Sequence, residues 1–198
     1  MDRKLPHIVS LLVIGAFAWY YLVFRAMPLS LGIVNAVVAF SATVIIGLSF
    51  FLGPLARFVK FFDRFLVHRK AFGLWGFSLA ALHVALAAIV LLSEKREIFF
   101  ADVMSLAVAA IAFMIFTLMA FTSTAGWVQK LGYENWKNLQ RTGYIAMAML
   151  LLHILLLENG VFLSRLTGQI AMAFILLVLL LRGAALLLSM ESRQKIDV

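Results

Sequence analysis

The chain has 198 residues, 65% of them hydrophobic, and a mean hydropathy of +1.06, which excludes a soluble globular protein and predicts a membrane protein embedded in the lipid bilayer. Cysteine is absent, which excludes disulfides, thiol catalysis and thiolate-ligated metal clusters. The net charge of +8 indicates basic loops beside anionic lipid headgroups, not a nucleic-acid partner.

Six apolar segments follow one another along the chain. An α-helix needs about 20 apolar residues to cross a hydrocarbon core of about 30 Å. Segments that meet this requirement lie near residues 7–25, 30–53, 71–93, 101–122, 142–158 and 166–189. The breaks between them contain Pro28, Gly53-Pro54, the charged run 93–97, the polar loop 126–141 and Glu158-Asn159-Gly160. The sequence therefore predicts an all-α integral membrane bundle of six transmembrane helices, which forms one domain over residues 1–198.

Lysine and arginine are distributed unequally between the two sets of connecting loops. With the N-terminus inside, the inside loops contain Arg3, Lys4, Arg57, Lys60, Arg64, Arg69, Lys70, Lys130, Lys137, Arg141, Arg193 and Lys195. The outside loops contain only Arg25, Lys95, Arg96 and Arg165. Because cytoplasmic loops of membrane proteins carry the excess of positive charge, both termini are predicted to be cytoplasmic.

Two histidines lie deep inside predicted helices. His83 is 12 residues beyond Ala71 in the third segment, and His153 is 11 residues beyond Thr142 in the fifth. At 1.5 Å per residue, these positions are roughly 18 and 17 Å from the cytoplasmic boundary. Ionisable groups inside a membrane are costly and usually functional. The matched depth predicts that the two imidazoles share one ligand.

Small residues accompany His83 on one face of its helix. Gly73, Gly76, Ala80, His83 and Ala87 follow one another at spacings of 3, 4, 3 and 4. Gly76 and Ala80 either make room for a flat ring or let two helices pack closely. A b-type haem, with its iron held by both imidazoles, fits this pattern, since no CxxCH attachment motif exists. The alternatives are plain packing roles for the histidines and a zinc ion, which would need further protein donors.

Ordered motifs surround both histidines. The downstream motif consists of Thr122-Ser123-Thr124, Lys130-Leu131-Gly132, Trp136, Leu139, Tyr144 and His153. The upstream motif consists of Pro54, Leu55, Ala56, Arg57, Gly73, Leu74, Trp75 and His83. Over about residues 45–158 these motifs resemble the ferric-reductase-like transmembrane family, in particular the haem subunits of bacterial methionine sulfoxide reductase systems.

The resemblance implies a six-helix bundle in a bacterial inner membrane that binds b-type haem and passes electrons across the membrane. The axial haem ligands of the family fall on His83 and His153. The family usually has a further histidine where this chain has Gln140, and an amide is a poor iron ligand. One haem is therefore expected, and a second is left open. His68 is either a substitute ligand for that second haem or a solvated residue at a helix end.

The electron donor is expected to come from outside the chain. No GxGxxG motif follows a strand, so the donor is expected to be a quinol, a cytoplasmic flavoprotein or a bound FMN. The basic inside loops 54–70 and 123–141, with Arg141 at the end of the second, have two readings. In the first, the basic residues contact a flavin phosphate, a reductase or haem propionates. In the second, they only reflect the positive-inside rule.

Three functions remain open. The first is a haem subunit that passes electrons to a separate extracytoplasmic reductase. The second is a self-sufficient reductase of metal ions or quinones, for which the short outer loops 26–29, 94–100 and 158–165 leave little room. The third is a non-redox transporter or scaffold, although no paired segments broken by glycine or proline stand out.

Overall fold

The computed structural model describes residues 4–93, 100–157 and 163–194, and the regular secondary structure within these ranges is helical throughout. The elements are α1 (Leu5–Trp19), a π-helical turn (Tyr20–Phe24), α2 (Leu31–Phe58), a 3-10 helix (Lys60–His68), α3 (Arg69–Ser93), α4 (Phe100–Phe121), α5 (Ala125–Leu131), α6 (Tyr133–Arg141), α7 (Gly143–Leu156) and α8 (Leu166–Gln194). Residues 94–97 of the predicted charged break 93–97, the break at 158–160 and most of the two longer outer loops lie outside the described residues.

The six predicted spans are present. Helical stretches long and apolar enough to cross a membrane are Leu5–Phe24, Leu31–Phe58, Lys60–Ser93, Phe100–Phe121, Tyr133–Leu156 and Leu166–Met190. The prediction of an all-α bundle with six transmembrane helices is therefore confirmed. The cytoplasmic position of both termini stays a prediction.

Two predicted boundaries are corrected by the structure. The second span does not end at Gly53-Pro54, because α2 continues to Phe58 with Pro54 inside it. The polar segment 126–141, predicted as a loop, forms α5 and α6 instead. Gly132, with a φ of +75°, allows the chain to turn between these two short helices.

Pro54 leaves one backbone carbonyl of α2 without its helical partner. Proline has no N–H, so it cannot donate to the carbonyl of Phe50 four residues earlier. The hydroxyl of Tyr144 in α7 donates to that carbonyl oxygen instead, at 3.1 Å. The rings of Phe50 and Tyr144 also meet edge to face, with centroids 5.1 Å apart. The proline therefore creates a specific connection between α2 and α7.

Replacing Tyr144 by phenylalanine should destabilise the fold through this connection. The variant keeps the ring contact but leaves the carbonyl of Phe50 without a donor, at a cost of about 1–3 kcal/mol for a buried polar group. Thermal unfolding in detergent should show a lower Tm than the wild type. Tyr20→Phe is the matched control, because the side chain of Tyr20 makes only ring contacts, with Tyr21 and Phe24, within the described residues. An equal Tm loss in both variants would contradict this role of Tyr144.

The helices pack as two close pairs. α2 packs extensively on α3 and also contacts α1 and α8, and α4 packs extensively on α7. Gly76 permits the first pairing, because a Cβ there would collide with the backbone and side chain of Ile46. Gly143 permits the close approach of α7 to α2, where a Cβ would collide with the Phe50 ring. α3 and α7 make no extensive contact with each other in the described part of the chain.

Candidate functional site

His83 is held by a polar residue of the neighbouring helix. Its Nδ1 lies 2.7 Å from Oδ1 of Asn35, one turn into α2. An amide oxygen can only accept a hydrogen bond, so Nδ1 carries the proton. The lone pair of the neutral ring is then on Nε2, which makes no hydrogen bond with any described residue. This is the tautomer that a metal-ligating histidine needs.

His153 is held in the same way by α4. Its Nδ1 lies 3.1 Å from the carbonyl oxygen of Ser105 and 2.8 Å from the Ser105 hydroxyl oxygen. The Ser105 hydroxyl in turn donates to the His153 carbonyl at 3.1 Å. A carbonyl only accepts, so Nδ1 again carries the proton and Nε2 keeps the lone pair. Ser105 is fully buried, which fixes the geometry of this contact.

The two imidazoles come from the two separate helix pairs. His83 belongs to the α2–α3 pair and His153 to the α4–α7 pair. Their hydrogen-bond partners Asn35 and Ser105 both lie about one turn from the start of their helices. The meeting of the two histidines at one shared ligand stays a prediction.

The donor set fits a porphyrin iron better than a zinc ion. The described residues contain no group of three or more His, Cys, Asp or Glu side chains that could hold a metal ion. Zinc sites use at least three protein ligands, whereas a haem iron needs only two axial ligands from the protein. Two neutral imidazoles with free Nε2 atoms meet that requirement. His83 and His153 are therefore the residues that would hold a haem.

The structure places Gly76 and Ala80 differently from each other. Gly76 is buried against Ile46, so its small size serves the α2–α3 contact and leaves no open slot beside it. Ala80, one turn nearer to His83, is partly buried and contacts both apolar clusters of the bundle. The haem-packing role predicted for both residues stays a prediction, and the position of Ala80 suits it better.

A basic cavity of about 550 Å³ lies at the other end of the bundle. Its cationic lining residues are Arg57, Arg69, Lys70, Lys137, Arg141 and Arg182, and its described lining includes no acidic residue. Phe77, Phe116 and Ile46 also line it. Phe77 precedes His83 by six residues on α3, which is roughly 9 Å along the helix axis. The cavity therefore extends from the basic end of the bundle towards the histidine pair.

Arg69 is fixed in this cavity by reciprocal hydrogen bonds to α2. Its Nε donates to the Ser49 carbonyl at 2.8 Å, and the Ser49 hydroxyl donates to the Arg69 carbonyl at 2.8 Å. Its guanidinium passes over Gly53, where a Cβ would lie only 3.0 Å from Nη1. Gly53 thus provides space for a cation at the cavity wall.

Gln140 lines the same cavity and bonds to the end of α4. Its Nε2 donates to the Met119 carbonyl at 3.4 Å, and Trp136 Nε1 donates to the Thr122 carbonyl at 3.0 Å. Ser123 donates its hydroxyl to the Met119 carbonyl as well. These bonds satisfy carbonyls that the last turn of a helix leaves free. Several residues of the downstream motif therefore fasten α6 to α4 beside the cavity.

Arg141 and His68 occupy different surroundings. Arg141 is exposed, donates to Asn138 Oδ1 at 2.9 Å and lines the basic cavity. His68 is buried at the end of the 3-10 helix, which packs on α2. Its Nε2 has no hydrogen-bond partner among the described residues, and it is not part of the cavity lining. The structure thus places Arg141 and Gln140 together and His68 apart from them.

Sequence reasoning missed Asn35 and Ser105. Asn35 is a polar residue in a long apolar run of the second segment, which was a usable signal that something polar lies opposite it. Ser105 carries no such signal, because a serine can satisfy its hydroxyl within its own helix. Only the packing of α4 on α7 shows that Ser105 faces a histidine.

The match to a known family covers most of the bundle. A sequence model described as the ferric reductase like transmembrane component matches residues 31–152, which is more than half of the chain. The chain belongs to the ferric-reductase-like transmembrane family. The matched region contains His83 and ends one residue before His153.

Three curated proteins are similar to this ferric-reductase-like chain. The protein-methionine-sulfoxide reductase heme-binding subunit MsrQ of Pasteurella multocida is 32% identical over 64% of this chain and 63% of its own length. The MsrQ of Caulobacter vibrioides is 30% identical over 58% of this chain and 54% of its own length. The magnetosome protein MamZ of Magnetospirillum gryphiswaldense is 33% identical over 46% of this chain and 15% of its own length. The chain thus spans less than two thirds of each of these relatives.

Proposed function

We propose that this protein is a membrane haem subunit that transfers electrons between a donor at one membrane face and an acceptor at the other. The observation that carries the proposal is that each of the two intramembrane imidazoles is protonated on Nδ1 by its contact with a neighbouring helix, which leaves Nε2 free. The names of the MsrQ relatives, which state heme binding, support it. A noncovalent b-type haem is the group that the cysteine-free chain can hold.

The chain's own residues orient the two imidazoles that would hold the haem. A haem with both axial positions filled supplies a one-electron iron centre suited to electron transfer and not to oxygen activation. Asn35 holds the His83 ring, and Ser105 holds the His153 ring with its backbone carbonyl and hydroxyl. Both contacts keep Nε2 available and raise the basicity of the ligand.

The basic cavity supports a donor site with an anionic group. Its six lysine and arginine residues can bind the phosphate of FMN or contact a cytoplasmic flavoprotein that docks there. Its apolar end at Phe77 and Phe116 suits a flat ring, such as a flavin or a quinol. A donor bound there would lie on the path towards the histidine pair.

A second haem is less well supported in this cavity. Gln140 stands at the position of the family histidine, and its amide already donates to the Met119 carbonyl. His68, the substitute ligand considered from sequence, is buried away from the cavity lining. We therefore propose one haem per chain, with Arg141 and Gln140 contributing to the donor cavity.

The acceptor is proposed to be a separate extracytoplasmic reductase, with the chain in the inner membrane of a bacterium. The MsrQ relatives are subunits of a methionine sulfoxide reductase, which supports a partner of that class. MamZ shows that similar sequence also occurs in a much longer protein of another kind. A self-sufficient metal or quinone reductase is the second candidate, because the basic cavity could also bind its own substrate.

The test is a count of haem and flavin in protein purified in detergent. We expect a pyridine haemochrome spectrum of b-type haem at about one per chain and a low-spin spectrum in both oxidation states. Acid release should show whether FMN accompanies it. Two haems per chain would overturn the single-haem proposal. A preparation without haem, from cells that make haem in excess, would overturn the electron-transfer function itself.

A further inference from the structure

A second cavity lies on the lipid side of the basic end of the bundle. It has a volume of about 450 Å³ and is lined by Arg57, Arg141, Arg182, Leu186, Ser189 and Met190. The three arginines come from α2, α6 and α8, so the cavity lies where these helices meet. It shares its arginines with the donor cavity but opens along α8, where the other lining residues lie.

The three guanidinium groups are held in place by protein contacts. Arg57 Nη1 donates to the Ala185 carbonyl of α8 at 2.9 Å. Arg141 Nη1 donates to Asn138 Oδ1 at 2.9 Å, and Arg182 lies over the Tyr144 ring, 4.9 Å from its centroid. A guanidinium has five N–H donors, so each keeps several for a ligand. The arginines are therefore pre-positioned for an anion.

Among the side chains that the structure describes, no carboxylate lines the cavity or forms an ion pair with these three arginines. All three contacts that hold them are to neutral groups. Three close positive charges at the edge of a low-dielectric region attract an anion strongly. A phosphate group matches the planar, forked geometry of arginine.

The other wall of the cavity is apolar and faces lipid. Leu186 and Met190 follow Arg182 at intervals of four residues, so all three lie on one face of α8. Leu186 is 44% exposed and Met190 is 62% exposed. Leu187 and Leu188 on the neighbouring surface of α8 are exposed as well. A ligand that fits both walls has an anionic head and an apolar tail. A free phosphate or a nucleotide fits only the arginine wall.

We propose that this cavity binds an anionic phospholipid of the adjoining leaflet, such as phosphatidylglycerol or cardiolipin. The phosphate contacts the three guanidinium groups, and an acyl chain lies along Leu186 and Met190. Basic clefts between transmembrane helices bind such headgroups in other membrane proteins. The lipid connects α2, α6 and α8 at their basic ends. The site does not depend on bound haem.

The experiment compares lipid binding in two double-charge variants by native mass spectrometry. Arg57→Gln with Arg141→Gln removes two cavity charges, and Arg64→Gln with Lys60→Gln removes two charges outside the cavity. Arg64 is a suitable control because it lies over the Phe61 and Phe65 rings of the 3-10 helix. Each protein is titrated in detergent with cardiolipin, phosphatidylglycerol, phosphatidylcholine and inorganic phosphate. Retained haem content and near-wild-type Tm show that each variant is folded.

The proposal predicts tighter binding of cardiolipin and phosphatidylglycerol than of phosphatidylcholine. Affinity for these anionic lipids should fall at least tenfold in the cavity variant and less than twofold in the control. Leu186→Ser should lower the affinity for the anionic lipids but leave the binding of inorganic phosphate unchanged. This variant keeps the test informative if the double variant fails to fold. Equal losses in the two double variants would show general charge attraction and overturn the site. Inorganic phosphate or FMN that displaces the lipid fully at micromolar concentration would also overturn it.

Discussion

Alanine in place of either His83 or His153 is expected to abolish low-spin haem. In the proposed site each residue would supply one of the two axial ligands, and Asn35 and Ser105 orient the two rings. A bis-imidazole site that loses one ligand retains a five-coordinate iron at best, so haem content should fall at least tenfold or become high-spin. Absorbance spectra and the pyridine haemochrome count of purified variants measure this directly.

Two other histidines provide the controls for this experiment. His7 accepts a hydrogen bond from Trp75 Nε1 at 2.8 Å on the exposed end of α1 and α3, far along the chain from both ligands. His68 is buried beside α2. His7→Ala and His68→Ala should keep the wild-type spectrum. Full low-spin haem in His83→Ala or in His153→Ala would contradict the shared-ligand site. Loss of half the haem in His68→Ala would contradict the single-haem proposal and indicate that His68 ligates a second haem.

The second large effect concerns the midpoint potential of the bound iron. Asn35→Leu removes the acceptor for the Nδ1 proton of His83, so the ring becomes a weaker donor and the ferric state is less stabilised. A hydrogen bond is worth about 0.5–1.5 kcal/mol, which corresponds to a rise of roughly 20–60 mV for a one-electron couple. Potentiometric titration of the haem absorbance measures the shift, and haem affinity should weaken about 10–100-fold.

Ser105→Ala is the matched variant on the other side of the site. It removes the hydroxyl but leaves the Ser105 carbonyl, which lies 3.1 Å from Nδ1 of His153. The midpoint potential should therefore rise less than in Asn35→Leu. Leucine has the same branching and the same number of side-chain heavy atoms as asparagine, although its volume is larger. A larger shift in Ser105→Ala than in Asn35→Leu, or no shift in either, would refute the positioning roles.

The local pattern of the chain determined the helical architecture. Runs of about 20 apolar residues leave no alternative to spanning helices, because a backbone in lipid must satisfy its hydrogen bonds within each segment. His83 and His153 were also found from sequence, since an ionisable residue within such a run stands out against its neighbours. These features depend on residues close together in the chain.

The end of α2 was misjudged for a tertiary reason. Gly53-Pro54 is a local helix-breaking signal, yet α2 continues to Phe58 because Tyr144 of α7 donates to the carbonyl that the proline leaves free. The donor lies 94 residues away in sequence. No local propensity contains that information.

The partners of the site were likewise decided by packing between distant segments. The small residues Gly76 and Ala80 are each compatible with a close helix contact or with a ligand slot. The approach of Ile46 to Gly76 shows that Gly76 serves the helix contact. Asn35 reaches His83 and Ser105 reaches His153 across 48 residues each. The sequence alone thus determined which residues are costly to bury in lipid. Only the tertiary structure decided which groups lie opposite them, because hydropathy is a property of single residues and hydrogen bonding is a property of pairs.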